Sequence, residues 1–200
     1  MNFGESLASD SLKTHSAAAL FLRAEGVKGY PFLPLLLQRC KSVDLSQPAL
    51  NKLEETLVGY GALSLGTITN AYGFNDADAL HTDILRWLLA LTYSRHVQVA
   101  ACGIYGLGEL HCLPVAAHER LTELVASERR PDDHGIITCR SIAFRVLAKT
   151  DRHSAKSFVD SHACEEYLQA IDHWISDYRR SNPDNLARCN EIEQESQWLR

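Results

Sequence analysis

The chain has 200 residues, a formal net charge of −5 and a sequence pI near 6.0. This balance excludes an all-round basic surface of the kind that holds nucleic acid or anionic membranes without specificity. Aromatic residues make up 8% and charged residues 22% of the chain, as in ordinary soluble globular proteins, and the length allows one domain with its own core or a short array of repeats.

The cysteines and the N-terminal residues predict a cytoplasmic protein. No two cysteines form a C-x-x-C pair and most lie in apolar helical patterns, so we expect buried, reduced thiols and no disulfide framework. Glu5 and Asp10 stand where a secretory signal would be basic, and no stretch reaches the ~18 apolar residues of a membrane span. The six cysteines are Cys40, Cys102, Cys112, Cys139, Cys164 and Cys189.

Two helices are predicted before residue 45. The first covers residues 6–25 and ends at Gly26, as helices commonly end at glycine. The apolar residues 30–40 include Pro31 and Pro34, which fit the first turn of a helix, so we expect a short buried helix there. The predicted buried side of the first helix consists of Leu7, Leu12, Ala18, Phe21 and Leu22.

Two amphipathic helices are predicted next. One starts near Pro48 and repeats apolar residues at three- and four-residue steps. The other is capped by Asp76 and extends to about Tyr93. Their predicted buried stripes are Leu50, Leu53, Leu57 and Tyr60 in the first, and Leu80, Ile84, Trp87, Leu88 and Leu91 in the second.

Residues 97–149 predict three more helices. The first, residues 97–110, is rich in glycine and alanine, and the second begins at Pro114. A turn and N-cap at Pro131, Asp132 and Asp133 precede the third. The buried stripe of the second helix consists of Ala117, Leu121, Leu124 and Val125.

A final helical pair completes an all-α fold of about eight to nine helices. Residues 154–178 form one helix, with a break allowed near Ser161, and Asn182 caps a last helix over residues 183–199. No alternating run is bounded by hairpin turn residues, so no strand is expected. The predicted inward residues of the longer helix are Tyr167, Leu168, Ile171, Trp174 and Tyr178.

An offset of about 40 residues relates several helices to one another. The pattern V-x-x-x-A-x-x-I-x-x-L-G resembles the first helix of a HEAT repeat, and two looser copies flank it. A small residue in each copy would let a neighbouring backbone approach. The pattern is carried by Val97, Ala101, Ile104, Leu107 and Gly108. The looser copies contain Ile137, Ser141, Phe144, Leu147 and Ala148 on one side, and Leu57 and Gly61 on the other.

The resemblance covers residues 47–180 and implies a right-handed stack of antiparallel helix pairs. Because the linkers are short everywhere, we expect one all-helical domain over residues 1–200, with N-terminal helices at 1–45, HEAT-like repeats at 47–180 and a C-terminal helix at 183–200. Gln98 and Thr138 stand where HEAT repeats usually carry arginine or lysine, so an irregular helical bundle is the alternative.

No motif predicts a catalytic residue, a cofactor or nucleotide binding. The glycines of GIYGLG, which include Gly103 and Gly106, lack the dinucleotide spacing and follow no strand, so we interpret them as close helix packing. Ser64 lies near glycines but not in G-x-S-x-G, and it is predicted within a helix.

Nine histidines predict no metal site. The compact group is His153, His162 and Cys164, but residues two apart on a helix point about 200° from each other, and no P-C-x-x-C of the zinc deaminases follows. A second group, His111, Cys112 and His118, has no carboxylate at ligand spacing.

The helix faces opposite the buried stripes are mostly acidic, and in HEAT-like stacks the second helix of each repeat lines the concave side. We therefore predict a non-enzymatic interaction module, an adaptor or an inhibitor of the immunity type, that docks a basic protein partner. Charges that only keep the protein soluble are the simpler alternative. The candidate partner-binding residues are Arg86, Glu119, Glu123, Glu166, Gln169 and His173.

Two other function classes stay open. Some HEAT-like stacks are DNA glycosylases with a basic groove, but the net charge argues against nucleic acid. The adjacent basic pairs are only Arg129–Arg130 and Arg179–Arg180. A helical bundle around a small apolar ligand is the third class, with Trp87 and Trp174 as its candidate surroundings. The sequence does not define the oligomeric state.

Overall fold

The computed structural model describes residues 2–110, 113–131, 133, 135, 137–182 and 187–199, and of residues 188 and 195 the backbone alone. These residues form eleven α-helices and two 3-10 segments, and no strand occurs among them. The all-α prediction is therefore confirmed. None of the described helices combines the length and the hydropathy that crossing a lipid bilayer requires.

Two compact units make up the chain, Met1–His118 and Glu119–Arg200. The boundary falls inside α7, which covers Val115–Ala126. The sequence does not indicate this division, because the linkers between its predicted helices are short everywhere. The HEAT-like stack stays a prediction.

The N-terminal helices of the first unit are α1 (Phe3–Ala8), α2 (Leu12–Leu22) and α3 (Leu33–Lys41), with a 3-10 segment, Arg23–Phe32, before α3. The single helix predicted over residues 6–25 is wrong. The chain breaks between α1 and α2 because the Ser11 side chain accepts a hydrogen bond from the Thr14 backbone N–H at 3.3 Å and caps α2. Phe21, predicted to be buried, is 54% exposed. The short buried helix over residues 30–40 is confirmed as α3.

Three longer helices complete most of the first unit: α4 (Lys52–Tyr72), α5 (Ala79–Thr92) and α6 (Val97–Gly108). Helix α4 starts after Pro48, because Asn51 and Glu54 form a reciprocal capping box there. The cap of α5 is Asp78 and not Asp76, since the Asp78 carboxylate accepts the first backbone N–H groups of the helix. The stripe predicted for α5 is buried or half-buried, whereas Tyr60 of α4 is exposed, as is Leu53.

The second unit continues α7 with α8 (Cys139–Thr150), α9 (Arg152–Lys156), α10 (His162–Ser181), α11 (Ala187–Ser196) and a 3-10 segment, Gln197–Leu199. The break near Ser161 is confirmed, because its side chain caps α10. The buried stripe predicted for α7 is confirmed as well.

Two expectations for this unit are wrong. Thr138 and not the Pro131–Asp133 turn caps α8, and Asp132 lies outside the described residues. Asn182 is the C-cap of α10, and the predicted start of the last helix at Pro183 lies outside the described residues. Trp174 is 38% exposed, and Ile175 lies on the buried side of α10 in its place.

Helix α6 packs against both α4 and α5 through glycine. A Cβ atom at Gly106 would lie 2.8 Å from the Ala62 carbonyl oxygen and 2.7 Å from Leu88 Cδ2. At Gly103 it would lie 2.7 Å from Leu91 Cβ. No side chain larger than hydrogen fits these positions without movement, so the interpretation of these glycines as packing residues is confirmed.

The 40-residue offset does not preserve this contact in the second unit. The position of α8 that corresponds to Gly106 is Val146, which is buried. Ile137, the expected counterpart of Leu57, precedes α8 and is 58% exposed. The offset of about 40 residues therefore describes how the helices are spaced along the chain, but it does not pair residues that make equivalent packing contacts.

Candidate functional site

Five of the six residues predicted to bind a partner have exposed side chains. Glu123 also accepts a hydrogen bond from Arg120 at 3.0 Å, and His173 lies 3.3 Å from Asp177. One of these five residues belongs to the first unit and four belong to the second, so they do not all lie in one compact unit. Their role in binding stays a prediction. The exposed residues are Arg86 on α5, Glu119 and Glu123 on α7, and Gln169 and His173 on α10.

Glu166, the sixth residue, is not part of an exposed acidic face. Its side chain is buried, and its carboxylate accepts hydrogen bonds from both Nε (2.9 Å) and Nη2 of Arg140 and from the Thr138 hydroxyl. Burial raises the pKa of Glu166, but the hydrogen bonds from Arg140 and Thr138 outweigh it, so the pKa lies below its usual value. This carboxylate is an internal group that joins α10 to α8.

The Arg129–Arg130 pair is engaged by its own loop. The Arg129 guanidinium donates to the Asp133 carbonyl at 3.0 Å and to the Gly135 carbonyl. The buried Asp133 carboxylate accepts the backbone N–H groups of Arg130 and Cys139, both at 3.4 Å. Burial raises the pKa of the Cys139 thiol, which keeps it a poor nucleophile.

The second basic pair, Arg179–Arg180, is paired with acidic side chains. Arg179 lies 2.8 Å from Glu193 of α11, and Arg180 lies 3.6 Å from Asp177. Carboxylates therefore offset the charge of this pair, whereas Arg129 is held by neutral carbonyl groups of its own loop.

Three other basic side chains line a groove of about 860 Å³ in the second unit. Arg145 and Lys149 lie one turn apart on the exposed side of α8, and Arg152 lies in the first turn of α9. Within the described part of the chain, no carboxylate forms an ion pair with any of the three. The groove is therefore a place in this unit where three basic side chains lie together without an ion-pair partner among the described residues.

The C-terminal residues build one wall of the groove. The Arg152 guanidinium stacks on the Trp198 ring with its carbon 4.4 Å from the ring centroid, a cation–π contact. Leu199, next to Trp198, is buried and anchors this segment. Tyr167 lines the groove as well, and its ring packs against Phe144 in the core.

The neutral polar lining comes from two glutamines. Gln194 of α11 and Gln197 of the 3-10 segment face the same groove. Their amides offer both donors and acceptors, so the groove combines positive charge, two aromatic side chains and neutral hydrogen-bonding groups.

The residues considered in the sequence for catalysis or metal binding have the following surroundings in the fold. The buried Ser64 hydroxyl donates to the Ala19 carbonyl at 2.6 Å, so it serves helix packing. His162 pairs with the neighbouring Glu165 at 3.1 Å, while Cys164 is buried and His153 is exposed. His111 and Cys112 lie outside the described residues. Across the residues that the structure describes, no group of three or more His, Cys, Asp or Glu side chains could hold a metal ion.

The tryptophans of the predicted ligand-binding bundle have different surroundings. Trp87 packs into the apolar core of the first unit. Trp174 is partly exposed on α10 and stacks on Tyr178, with the ring centroids 4.9 Å apart. Neither residue lines the groove described above.

The groove was not predicted from the sequence, although one signal was present. Arg145, Lys149 and Arg152 follow one another at i, i+4 and i+7, a spacing that would place three positive charges on one face of a continuous helix. In the structure α8 ends at Thr150, and Arg152 begins α9. A search for adjacent basic residues does not find this spacing. Nothing in the sequence around Arg152 indicates that Trp198, 46 residues later, stacks on it.

The fold and the groove together define an all-α protein with a cationic groove in its second unit. No family model, no curated protein and no solved structure matches the chain.

Proposed function

We propose that the chain is a non-enzymatic binding module that holds an acidic protein partner in the cationic groove of its second unit. The observation that carries the proposal is the set of three basic side chains, Arg145, Lys149 and Arg152, that line one groove with no ion-pair partner among the described residues. By contrast, Arg140, Arg179 and Arg180 of the same unit each have a carboxylate partner.

The physical argument is charge complementarity. A groove concentrates the field of the cations that line it and so speeds encounter with an anionic segment. The chain as a whole carries a net charge of −5, which repels an extended polyanion and favours a partner whose acidity is confined to a short segment. The Glu166 carboxylate is paired with Arg140 inside the fold, so it is not available to a basic partner. We therefore propose an acidic partner in place of the basic one expected from the sequence.

The remaining parts of the proposal have independent support. A cytoplasmic location agrees with the absence of disulfides among the five described cysteines. A HEAT-like arrangement of the helices is supported by the spacing of α4, α6 and α8 along the chain. The non-enzymatic assignment is supported by the packing role of Ser64 and by the raised pKa of the Cys139 and Cys164 thiols, both caused first by burial.

Anisotropy of a labelled deca-glutamate peptide tests the groove in the full chain. We expect binding that weakens as salt rises. Arg145→Glu with Lys149→Glu abolishes it, because both groups would repel the peptide. The control is Lys156→Glu, an exposed lysine of α9 that does not line the groove.

The natural partner is then sought by capture from the source lysate. An acidic protein retained by the wild type and by Lys156→Glu, but not by the double variant, supports the proposal. A partner or peptide held equally well by the double variant contradicts it.

The second-helix face is a second candidate, supported by the exposure of Glu119 and Glu123 on α7. Here a basic partner would be lost on replacing both residues by lysine. Glu166 is left unchanged in this variant, because removing it would break the buried ion pair with Arg140. Unchanged capture of a basic partner would dispose of this candidate.

A further inference from the structure

The three cations of the groove are close enough along the chain to meet one anionic group together. Residues four apart on a helix have Cβ atoms about 5–6 Å from each other. Arg145 and Lys149 have this spacing, and Arg152 follows directly after α8 ends at Thr150. The side chains of arginine and lysine are long enough to converge across such a distance.

Arg152 has a fixed orientation that suits an oxyanion. Its guanidinium lies against the Trp198 ring with the carbon atom 4.4 Å from the ring centroid. Stacking covers a face of the guanidinium plane but leaves the N–H donors at its edge available. A guanidinium held in this way presents two parallel N–H groups to a carboxylate or a phosphate.

The number of cations favours phosphate over carboxylate. A phosphate monoester carries about −1.5 to −2 charges near neutral pH and three strong acceptor oxygens. A carboxylate carries one charge and two oxygens, so it leaves most of the groove's positive charge without a partner. No carboxylate belongs to the described lining of the groove.

The rest of the lining favours a peptide over a nucleic acid. Gln194 and Gln197 offer amide groups that match the N–H and C=O groups of an extended peptide backbone. Three cations are too few to follow a nucleic-acid backbone, where proteins typically make about 6–10 phosphate contacts.

We propose that the groove binds the phosphate monoester of a phosphorylated segment in the protein partner. The inference rests on the proposed function and names the chemical group that the groove takes. Arg145, Lys149 and Arg152 bind the phosphate oxygens, Trp198 holds Arg152 in place, and the two glutamines bind the flanking peptide.

The test uses the full chain and four labelled probes in anisotropy titrations. Three are mixtures of ten-residue peptides, random except for a central phosphoserine, glutamate or serine. The fourth is a ten-nucleotide thymidine oligomer. We expect the phosphoserine mixture to bind about tenfold more tightly than the glutamate mixture, since it adds charge-assisted hydrogen bonds. Inorganic phosphate is expected to compete.

Two variants separate the guanidinium fork from its charge. Arg152→Lys keeps the positive charge but removes the paired N–H groups, so we expect phosphoserine binding to weaken about tenfold with little change for glutamate. Lys156→Gln, which removes an exposed cation outside the groove, is expected to leave every titration unchanged.

The outcomes distinguish this inference from the proposed function. Equal binding of the phosphoserine and glutamate mixtures overturns the phosphate inference while acidic-partner binding stands. A natural partner that remains bound after phosphatase treatment likewise overturns the phosphate inference and leaves acidic-partner binding intact. Tighter binding of the thymidine oligomer than of any peptide overturns both.

Discussion

The contacts that α6 and α8 make with their neighbours show two ways of joining helices in one chain. In the first unit, α6 meets α4 and α5 through Gly106 and Gly103, where carbonyl oxygens and side-chain carbons fill the space a Cβ would take. In the second unit, α8 meets α10 through a buried ion pair between Arg140 and Glu166. The first contact depends on volume, and the second depends on charge.

This difference affects the side chains that each helix presents. Where α6 approaches its neighbours through Gly103 and Gly106, no side chain projects from these two positions. In the second unit, α8 uses Arg140 to bind α10 and carries Arg145 and Lys149 on its exposed side. The same helix therefore supplies both an internal cation and the cations of the groove.

The largest expected effect is the loss of the ion pair. Glu166→Ala leaves the partly buried Arg140 guanidinium without its carboxylate, and we expect the free energy of unfolding to fall by about 3 kcal/mol. Urea unfolding followed by far-UV circular dichroism measures the change. Hydrogen exchange should show the loss of protection in α8 and α10, while α4 and α6 keep theirs.

Two control variants test whether this loss of stability comes from the charges of Arg140 and Glu166. Glu165→Ala removes an exposed carboxylate one position earlier and is expected to change stability by less than about 0.5 kcal/mol. Arg140→Met combined with Glu166→Met replaces both charges and is expected to recover most of the loss. A double variant as unstable as Glu166→Ala would show that the contact does not depend on charge.

Gly106→Ala tests the volume-dependent contact and has the next largest effect. The new Cβ would press on the Ala62 carbonyl oxygen and on Leu88, so we expect a loss of about 2 kcal/mol. The matched control is Gly4→Ala in α1, where a Cβ would make only ordinary contacts of 3.6 Å and 3.7 Å.

Urea unfolding of both glycine variants gives the comparison. Gly4→Ala is expected to be neutral or slightly stabilising, because alanine favours a helix. If Gly106→Ala is equally harmless, the α4–α6 contact is looser than the structure shows, and the contrast between the units fails.

The capping boxes of α4 and α8 provide a smaller, direct comparison. Asn51→Ala removes only the cap of α4 and is expected to cost about 1 kcal/mol. Thr138→Ala removes the cap of α8 and also a hydrogen bond to the charged Glu166, so we expect about 2 kcal/mol. The same urea titration measures both, and equal losses would show that the Thr138–Glu166 hydrogen bond adds nothing.

The sequence predicts those features of the fold that depend on local patterns. The stripes of α5 and α7 have a clear helical period, and Ser161 is a capping residue between two apolar segments, so these elements were predicted correctly. The choice of Asp78 over Asp76 was not predictable, because both are good capping residues. In the fold, His81 of α5 contacts Tyr30 at 3.0 Å and accepts the Asn75 N–H at 3.0 Å, which fixes the turn before Asp78.

The candidate site was less predictable, because its parts are far apart in the sequence. Glu166 looks like a surface residue in its own helix, and its burial is made favourable by hydrogen bonds from Arg140 and Thr138, 26 and 28 positions away. Trp198 is similarly distant from Arg152. Helical periodicity assigns each residue to a face of its own helix, but it does not identify the residue opposite that face.

The smallest expected effect is the dependence on pH that Glu166 gives to the stability of the second unit. Hydrogen bonds from Arg140 and Thr138 hold the pKa of Glu166 below its usual value despite burial, whereas in the unfolded chain it is about 4.3. The stability that this group contributes is therefore fully present above the unfolded value and is lost as pH falls through the folded one. The stability difference between the wild type and Glu166→Gln should narrow from pH 6 to pH 3.

Gly106→Ala is the reference for this measurement, since it changes volume and no charge. Its destabilisation relative to the wild type should stay constant over the same pH range, in the same urea titrations. Narrowing for Glu166→Gln alone would assign charge dependence to the α8–α10 contact. A constant difference for Glu166→Gln would mean that the pKa of Glu166 is the same in the folded and unfolded chain. The hydrogen bonds from Arg140 and Thr138 would then only offset the desolvation of its carboxylate.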